Sequence, residues 1–326
     1  MSNPRVLCLG EVLFDRLADQ LGRKLEEVES WTAYPGGAPA NVACAMVKLG
    51  TPTAFIGCVG EDAPGNELVE LFDDLGVDTT GIQRHPTAPT RQVNVVRSLE
   101  GDRSFAGFKD FKTTEFADTY LKADKLPIEL FEAADFLVLG TLELAYPESG
   151  QAIYRALELA EQYDVKILLD VNWRPVFWTN PDVAPQKIQA LFKKIDFLKL
   201  SKEEAEWLFG TADAGAITYR LNSVEGVLVT DGENGCAYCL GEENEGTLPA
   251  FSVPVVDTTG AGDSFVAGFI HQVLTHGIQR LNDKETARKV VQFASATGAL
   301  TTMKAGAIAA QPTAAEVEAF LASHPI

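Results

Sequence analysis

Apolar residues along the chain fall into two alternating arrangements. RVLCLG (5–10), AFIGCVG (54–60), DFLVLG (135–140), VKILLD (165–170), DFLKL (196–200) and GVLVTD (226–231) are short continuous runs. Runs of that length, closed by glycine or aspartate, read as buried strands. Between them the spacing turns helical. Val42, Ala45, Met46 and Leu49 recur on one face, with Pro39 in the first turn and Gly50 as the stop. Leu68, Leu71, Phe72 and Leu75 repeat the pattern before Gly76. Further helices are predicted after Pro147, near 182–194, in SKEEAEWLFG, and near 262–276, 283–300 and 313–323. Strand alternating with helix predicts an α/β fold, with a mostly parallel sheet covered on both faces.

Two stretches break this rhythm. Residues 12–35 are mixed and charged, with no helical period. In 91–108, RQVNVVRS and RSFAGF alternate around Glu100–Gly101–Asp102, which reads as a hairpin. The segment from 230 to about 256 is also hairpin-like. With no internal repeat and no linker, the expectation is a single domain over 1–326, with 12–35 and 91–108 forming a small sheet that stands off it as a lid.

Composition narrows the partners. The 326 residues are 46% hydrophobic and 22% charged, ordinary for a globular chain of this size. The formal charge of −19 opposes nucleic acid and anionic membrane surfaces. It also opposes nucleotides, so a phosphate site has to act locally, through backbone dipoles, a few cations and a metal ion. No basic-then-apolar leader is seen and no run is long enough to span a bilayer, so a cytoplasmic protein is expected. Cys8, Cys44, Cys58, Cys236 and Cys239 are odd in number and scattered, which suits reduced thiols. Cys236 and Cys239 form a lone C-x-x-C on a strand-like segment. The structural reading is preferred there, with a redox or zinc site as the alternative.

In an open α/β sheet, ligands gather beyond the C-terminal strand ends. That places Glu143, Asp170, Asn172 and Asp231 at candidate positions. It also picks out PGGAPANVA (35–43), where two glycines precede a helix with Asn41 in its first turn. A second segment, DTTGAGDSFVAGF (257–269), opens a helix with Gly260, Ala261 and Gly262, yet puts Asp263 where an anion would dock. As bare patterns, the first also fits a tight turn and the second a helix cap. G-x-x-x-x-G-K-[ST], G-x-G-x-x-G and G-x-S-x-G do not occur, and the four histidines have no metal spacing.

Taken together, these two segments resemble the paired signatures of the ribokinase-like (PfkB-type) carbohydrate kinase family. The likeness runs from GEVLFD near the start to MKAGA near the end. GEVLFD, GGAPANVA, DVNWRP and TTMKAGAIA look most like the fructokinase branch; the ribokinase branch carries a lysine where this chain has Ala38–Pro39. The resemblance implies a three-layer α/β/α sandwich with a small β-sheet lid. It also implies transfer of the γ-phosphoryl group of ATP to a sugar hydroxyl, with fructose 6-phosphate as product. Kinases of the same fold acting on 2-keto-3-deoxygluconate, ribose or a nucleoside remain as alternatives, as does a catalytically silent sugar sensor.

The same resemblance assigns roles. Asp263 would be the base, kept ionised by the helix dipole, and the N–H groups of Ala261, Gly262 and Asp263 after Gly260 would form the anion hole. Asp15, Gly36, Gly37 and Asn41 would hold the sugar, with Arg91, Lys109, Asp170, Asn172 and Arg174 as further substrate contacts. Thr230, Gly232, Gly235, Ser295 and Gly298 would line the nucleotide. Glu204 would act on magnesium through water, although Ser201 stands where the family has asparagine, and S-x-x-E is also a capping box. Asp257, Thr259, Ala305 and Ala307 would surround a monovalent cation, potassium. A homodimer closing lid against lid is expected.

Overall fold

The first sixty residues form β1 (Val6–Leu9), β2 (Leu13–Ala18), β3 (Trp31–Gly36) and β4 (Thr53–Gly60). Next come β5 (Asp78–His85), β6 (Gln92–Arg97) and β7 (Arg103–Gly107). The rest are β8 (Phe136–Leu139), β9 (Lys166–Asp170), β10 (Phe197–Ser201), β11 (Gly226–Thr230), β12 (Cys236–Leu240) and β13 (Asn244–Leu248). These come from a computed structural model that describes residues 3–98, 103–108, 111–241 and 244–324.

Nine strands make one sheet in the order β13-β12-β11-β10-β9-β8-β1-β4-β5. Seven of them, β11 through β5 in that order, pair in parallel; β12 and β13 close one edge antiparallel. The chain builds outward from β1 through β4 to β5, then returns to β8 on the other side of β1. That reversal opens a crevice at the C-terminal strand ends, where α/β sheets take ligands.

The continuous apolar runs are explained by burial on both faces. Leu7 and Leu9 join one buried cluster, whereas Val6 and Cys8 join the cluster on the opposite face. Helices Pro147–Gln162 and Ala184–Leu191 contribute to the first, Ala38–Lys48, Ala261–His276 and Lys284–Thr302 to the second. Two elements had no clear sequence signal. β5 reads DTTGIQRH because it is an edge strand, largely half-exposed, so polar residues carry no desolvation cost there. The helix Ala214–Leu221 covers only two turns, too short for a period to stand out.

The smaller sheet has the order β3-β2-β6-β7. β2 runs antiparallel to β3 and parallel to β6, and β6 runs antiparallel to β7. It is built from the two stretches that lacked helical rhythm. The Glu100–Gly101–Asp102 turn lies outside the described residues. β3 feeds directly into the helix Ala38–Lys48, so Gly36 and Gly37 sit where the small sheet joins the body.

Candidate active site

The helix Ala261–His276 begins without a side-chain cap. Its N-cap, Gly260, has φ 77°, and a Cβ there would come within 2.7 Å of the Ala307 Cβ. Glycine is required at that point for both reasons. The Ala261 N–H turns back to the Thr258 carbonyl at 3.3 Å. The anion hole expected from three N–H groups therefore has Gly262 and Asp263 as its open donors, at the end of the helix where an anion is favoured.

Asp263 is joined to the other signature segment. Its Oδ2 accepts from Asn41 Nδ2 at 2.7 Å, across 222 positions of sequence. Asn41 is itself held from both sides. Its N–H donates to the Gly37 carbonyl at 2.8 Å, and its carbonyl accepts from Gln311 Nε2 at 2.7 Å. Its Oδ1 is buried without a partner, an acceptor suited to a ligand hydroxyl. Burial raises the Asp263 carboxyl above the usual range, while the Asn41 hydrogen bond, Lys199 and Arg174 pull it back and Asp15 adds to the rise. The helix dipole was expected to hold it fully ionised; desolvation works against that and makes it a stronger base.

The glycine pair is dictated by close approach. A Cβ on Gly36 would lie 2.8 Å from Asp15 Oδ2, and one on Gly37 would lie 2.4 Å from the Glu11 carbonyl. Gly37 also has φ 105°. Glu11 completes the turn, its Oε1 accepting from the Ala38 N–H at 2.8 Å. Asp15 faces a cavity of about 210 Å³ between the small sheet and the Asp257 loop, with Tyr34, Arg97, Thr259 and Gly306.

Several expected substrate contacts are placed differently. Arg91 has a fully buried side chain; Nε and Nη2 clasp Asp118 at 2.5 and 2.9 Å, and Nη1 reaches Thr113 Oγ1 at 3.1 Å. Packed among Phe108, Phe116, Tyr146 and Phe177, it braces the core instead of reaching a sugar. Asp170 is likewise occupied. Both its oxygens face Lys199 Nζ, at 3.0 and 3.1 Å, and the residue is only 4% exposed. Asn172 adopts φ 39°, a left-handed conformation common at functional turns. Arg174 is exposed, and its charge reaches Asp263. Lys109 lies outside the described residues.

On the nucleotide side, Thr230 ends β11 with its hydroxyl on the Leu200 carbonyl at 3.3 Å. Gly232 and Gly235 shape the following turn with φ 50° and 96°. Ser295 Oγ lies 3.6 Å from Cys236 Sγ. Gly298 is a packing glycine, because a Cβ there would stand 3.0 Å from the Ala261 carbonyl. It lets the helix Lys284–Thr302 close on the helix bearing Asp263.

The metal candidates are ordered by the protein itself. Ser201 and Glu204 form the capping box, with Glu204 Oε2 on the Ser201 N–H at 2.7 Å. Oε1 accepts from the Trp173 N–H at 2.5 Å. Glu204 thus ties the β9 end to the β10 end. A carboxylate fixed this way, with lone pairs to spare, fits a role toward the water shell of magnesium. Asp257 binds Thr259 through Oδ1 and the Gly306 N–H through Oδ2 at 2.9 Å. It draws the 257–259 and 305–307 loops into one unit, which suits a monovalent cation held largely by carbonyls.

Sequence reasoning missed two residues at this site. Lys199 sits in the run FLKLS, where a lysine inside a buried strand was the available signal. Glu11 lies next to a strand end in the same way. The C-x-x-C pair separates: Cys236 and Cys239 belong to clusters on opposite sheet faces, so they cannot chelate or pair. No group of three metal-ligating side chains is found among the described residues.

Both signatures, the strand order and the helix-end site define a phosphoryl-transfer enzyme of the ribokinase fold. Residues 3–314 match the model of the pfkB family carbohydrate kinases, and the chain belongs to that family. Among its relatives are "Probable fructokinase-2" of Arabidopsis thaliana, 36% identical over 97% of this chain and 95% of that protein, and "Fructokinase-1" of Zea mays, 34% identical over 96% of each. In structure it is similar to a fructokinase from Xylella fastidiosa with bound ATP, with a TM-score of 0.88 and 30% identity over 98% of both chains. A Vibrio cholerae fructokinase double mutant, solved with fructose, ADP and potassium ion, gives a TM-score of 0.84 at 27% identity, over 98% of this chain and 99% of that one.

Proposed function

We propose that the protein is an ATP-dependent fructokinase converting D-fructose to fructose 6-phosphate. The observation that carries this is the 2.7 Å bond between Asn41 and Asp263. It joins a hydroxyl-binding turn to a helix end that attracts phosphate, which is the juxtaposition a sugar kinase needs. Asp15, Gly36, Gly37 and Asn41 hold the sugar. Asp263 takes the proton of the primary hydroxyl as its oxygen bonds to the γ-phosphorus. The bond from that phosphorus to the bridging oxygen breaks, and the electron pair leaves on ADP. The Gly262 and Asp263 N–H groups stabilise the charge in transit.

Glu204 would hold magnesium through its water shell, and the ion would supply charge neutralisation to the phosphates. Asp257, Thr259, Ala305 and Ala307 hold a potassium ion beside the helix end. The small sheet acts as the lid, and a second copy covers it to make a homodimer; its outer strand β3 leaves Thr32, Ala33 and Tyr34 exposed. Five buried, unbridged thiols favour a cytoplasmic setting. No helix among the described residues is long and apolar enough to cross a membrane.

The test is ADP release with ATP and magnesium over fructose, ribose, 2-keto-3-deoxygluconate and adenosine, with Asp263→Ala as control. Preference for fructose, lost in the variant, is expected. Turnover of another acceptor would overturn the substrate, and no turnover with sugar binding intact would favour a silent sensor.

A further inference from the structure

Gln311 is a buried amide that lies behind the site. It closes the short helix Ala307–Ala310 and is only 5% exposed. Its Nε2 donates to the Asn41 carbonyl at 2.7 Å, across 270 positions of sequence. Its Oε1 is buried without a partner among the described residues. An unmatched buried acceptor costs about 1–3 kcal/mol, and an apolar side chain of similar size would avoid that cost. What the amide supplies in exchange is its one bond to Asn41.

That bond falls where the chain has little support of its own. The helix Ala38–Lys48 starts at Gly37 with no side-chain cap, and Pro39 in its first turn has no N–H. Glu11 holds the Ala38 N–H from one side, and Gln311 holds the Asn41 carbonyl from the other. The segment carrying Gln311 also touches the second helix. A Cβ on Gly260, the N-cap of Ala261–His276, would come within 2.7 Å of the Ala307 Cβ. Lys48 fastens the middle of the segment by donating to the Ile308 carbonyl. Residues 307–311 therefore bridge the starts of the two helices between which Asn41 and Asp263 meet.

Resting on the kinase reading above, we propose that Gln311 is a positioning residue for phosphoryl transfer, fixing the Asn41 backbone so that the Asn41 amide stays on Asp263. Its effect runs through Asn41. Asp263 is faced by Asn41, by Lys199 and Asp170 at the strand ends, by Arg174, and by Asp15 and Glu11 on the sugar side. Burial raises its carboxyl, and the Asn41 hydrogen bond is the largest influence holding it down. Loosening Asn41 would let that carboxyl rise further, so the base would lose its proton only at higher pH.

The test is a double-mutant cycle on Gln311 and Asn41. Gln311→Met and Gln311→Leu, which fill the buried space differently, are each made alone and together with Asn41→Ala. Folding is checked by circular dichroism and thermal melting. Steady-state kcat and KM for fructose and for ATP with magnesium are measured across pH. The Asp263 carboxyl is titrated directly by carbon-13 NMR, with Asp263→Asn to assign its signal. In the folded single variants kcat should fall roughly 10-fold to 100-fold, with KM for ATP within about threefold of wild type. The Asp263 carboxyl should titrate about one pH unit higher, and the acid limb of the kcat profile should move up with it. In the Asn41→Ala background the same substitutions should change kcat by less than about twofold, since residues acting as a unit are not additive. Equal losses in both backgrounds would overturn the inference. So would a lowered melting temperature with the carboxyl titration unmoved, a loss confined to KM, or failure of both single variants to fold. A wild-type protein inactive on every acceptor would instead overturn the kinase reading, and the carboxyl titration would then decide the link from Gln311 through Asn41 to Asp263.

Discussion

Glu11 and Glu143 form a buried acidic pair behind the sugar-side turn, and replacing Glu11 by glutamine should stabilise the protein in a pH-dependent way. Glu11 is 4% exposed and Glu143 1%. One oxygen of Glu11 accepts from Ala38, but its other oxygen and both of Glu143 are buried without partners. Desolvation foremost, with Asp118 and Asp263 adding, pushes Glu11 from 4.5 up to about 7. Desolvation and the Glu11 charge push Glu143 well above 4.5. A carboxyl raised on folding holds its proton longer in the native state than in the unfolded one. The associated stability is intact below 4.5 and is lost as pH climbs through about 7. For Glu11 the gap corresponds to about 3 kcal/mol. Glu11→Gln keeps the acceptor for Ala38 and offers an amide donor toward the unpartnered oxygens. It should match wild type near pH 4 and exceed it by up to about 3 kcal/mol near pH 8. Urea unfolding followed by circular dichroism at both pH values measures this, with the slope m checked for constancy. Equal pH dependence in the two proteins, or a glutamine variant weaker at both, would refute the reasoning.

Arg91→Met should cost about 3–5 kcal/mol of stability, because it strands Asp118 as an unpaired buried charge; the Arg91→Met/Asp118→Asn pair should recover much of that, as read by urea midpoints. Gly37→Ala should lower sugar affinity and destabilise the turn by about 1–3 kcal/mol, from its positive φ and the backbone contact any Cβ would make, as measured by calorimetric titration and melting. Asp263→Ala should reduce kcat by roughly 100-fold to 10,000-fold while sugar still binds, which single-turnover assays and titration separate. Native Cys236 and Cys239 should stay unreactive toward a thiol reagent until the protein unfolds, since both are buried on opposite sheet faces.

Periodicity alone was enough to place most of the large sheet and its helices. Residues buried on both faces must be apolar throughout, and a helix facing the sheet must repeat every 3.6 positions, so both leave a local trace. Gly260 and the Gly36–Gly37 pair were legible as a helix start and a tight turn because backbone geometry restricts what can stand there, whereas the role of Asp263 was read only from the resemblance of the two segments to a family. What the folded chain alone decided was how charges pair. Nothing near Arg91 foretells Asp118, and nothing in FLKLS foretells that Lys199 will face Asp170 and Gly262. Those partners are brought together by strand order and crossover connections, and hydrogen-bonding and Coulomb forces act over a few ångströms of space whatever the distance along the chain. Arg91 therefore became a buried brace, Asp170 a lysine partner and Gly298 a packing glycine, while Asn41 and Asp263 met across 222 positions.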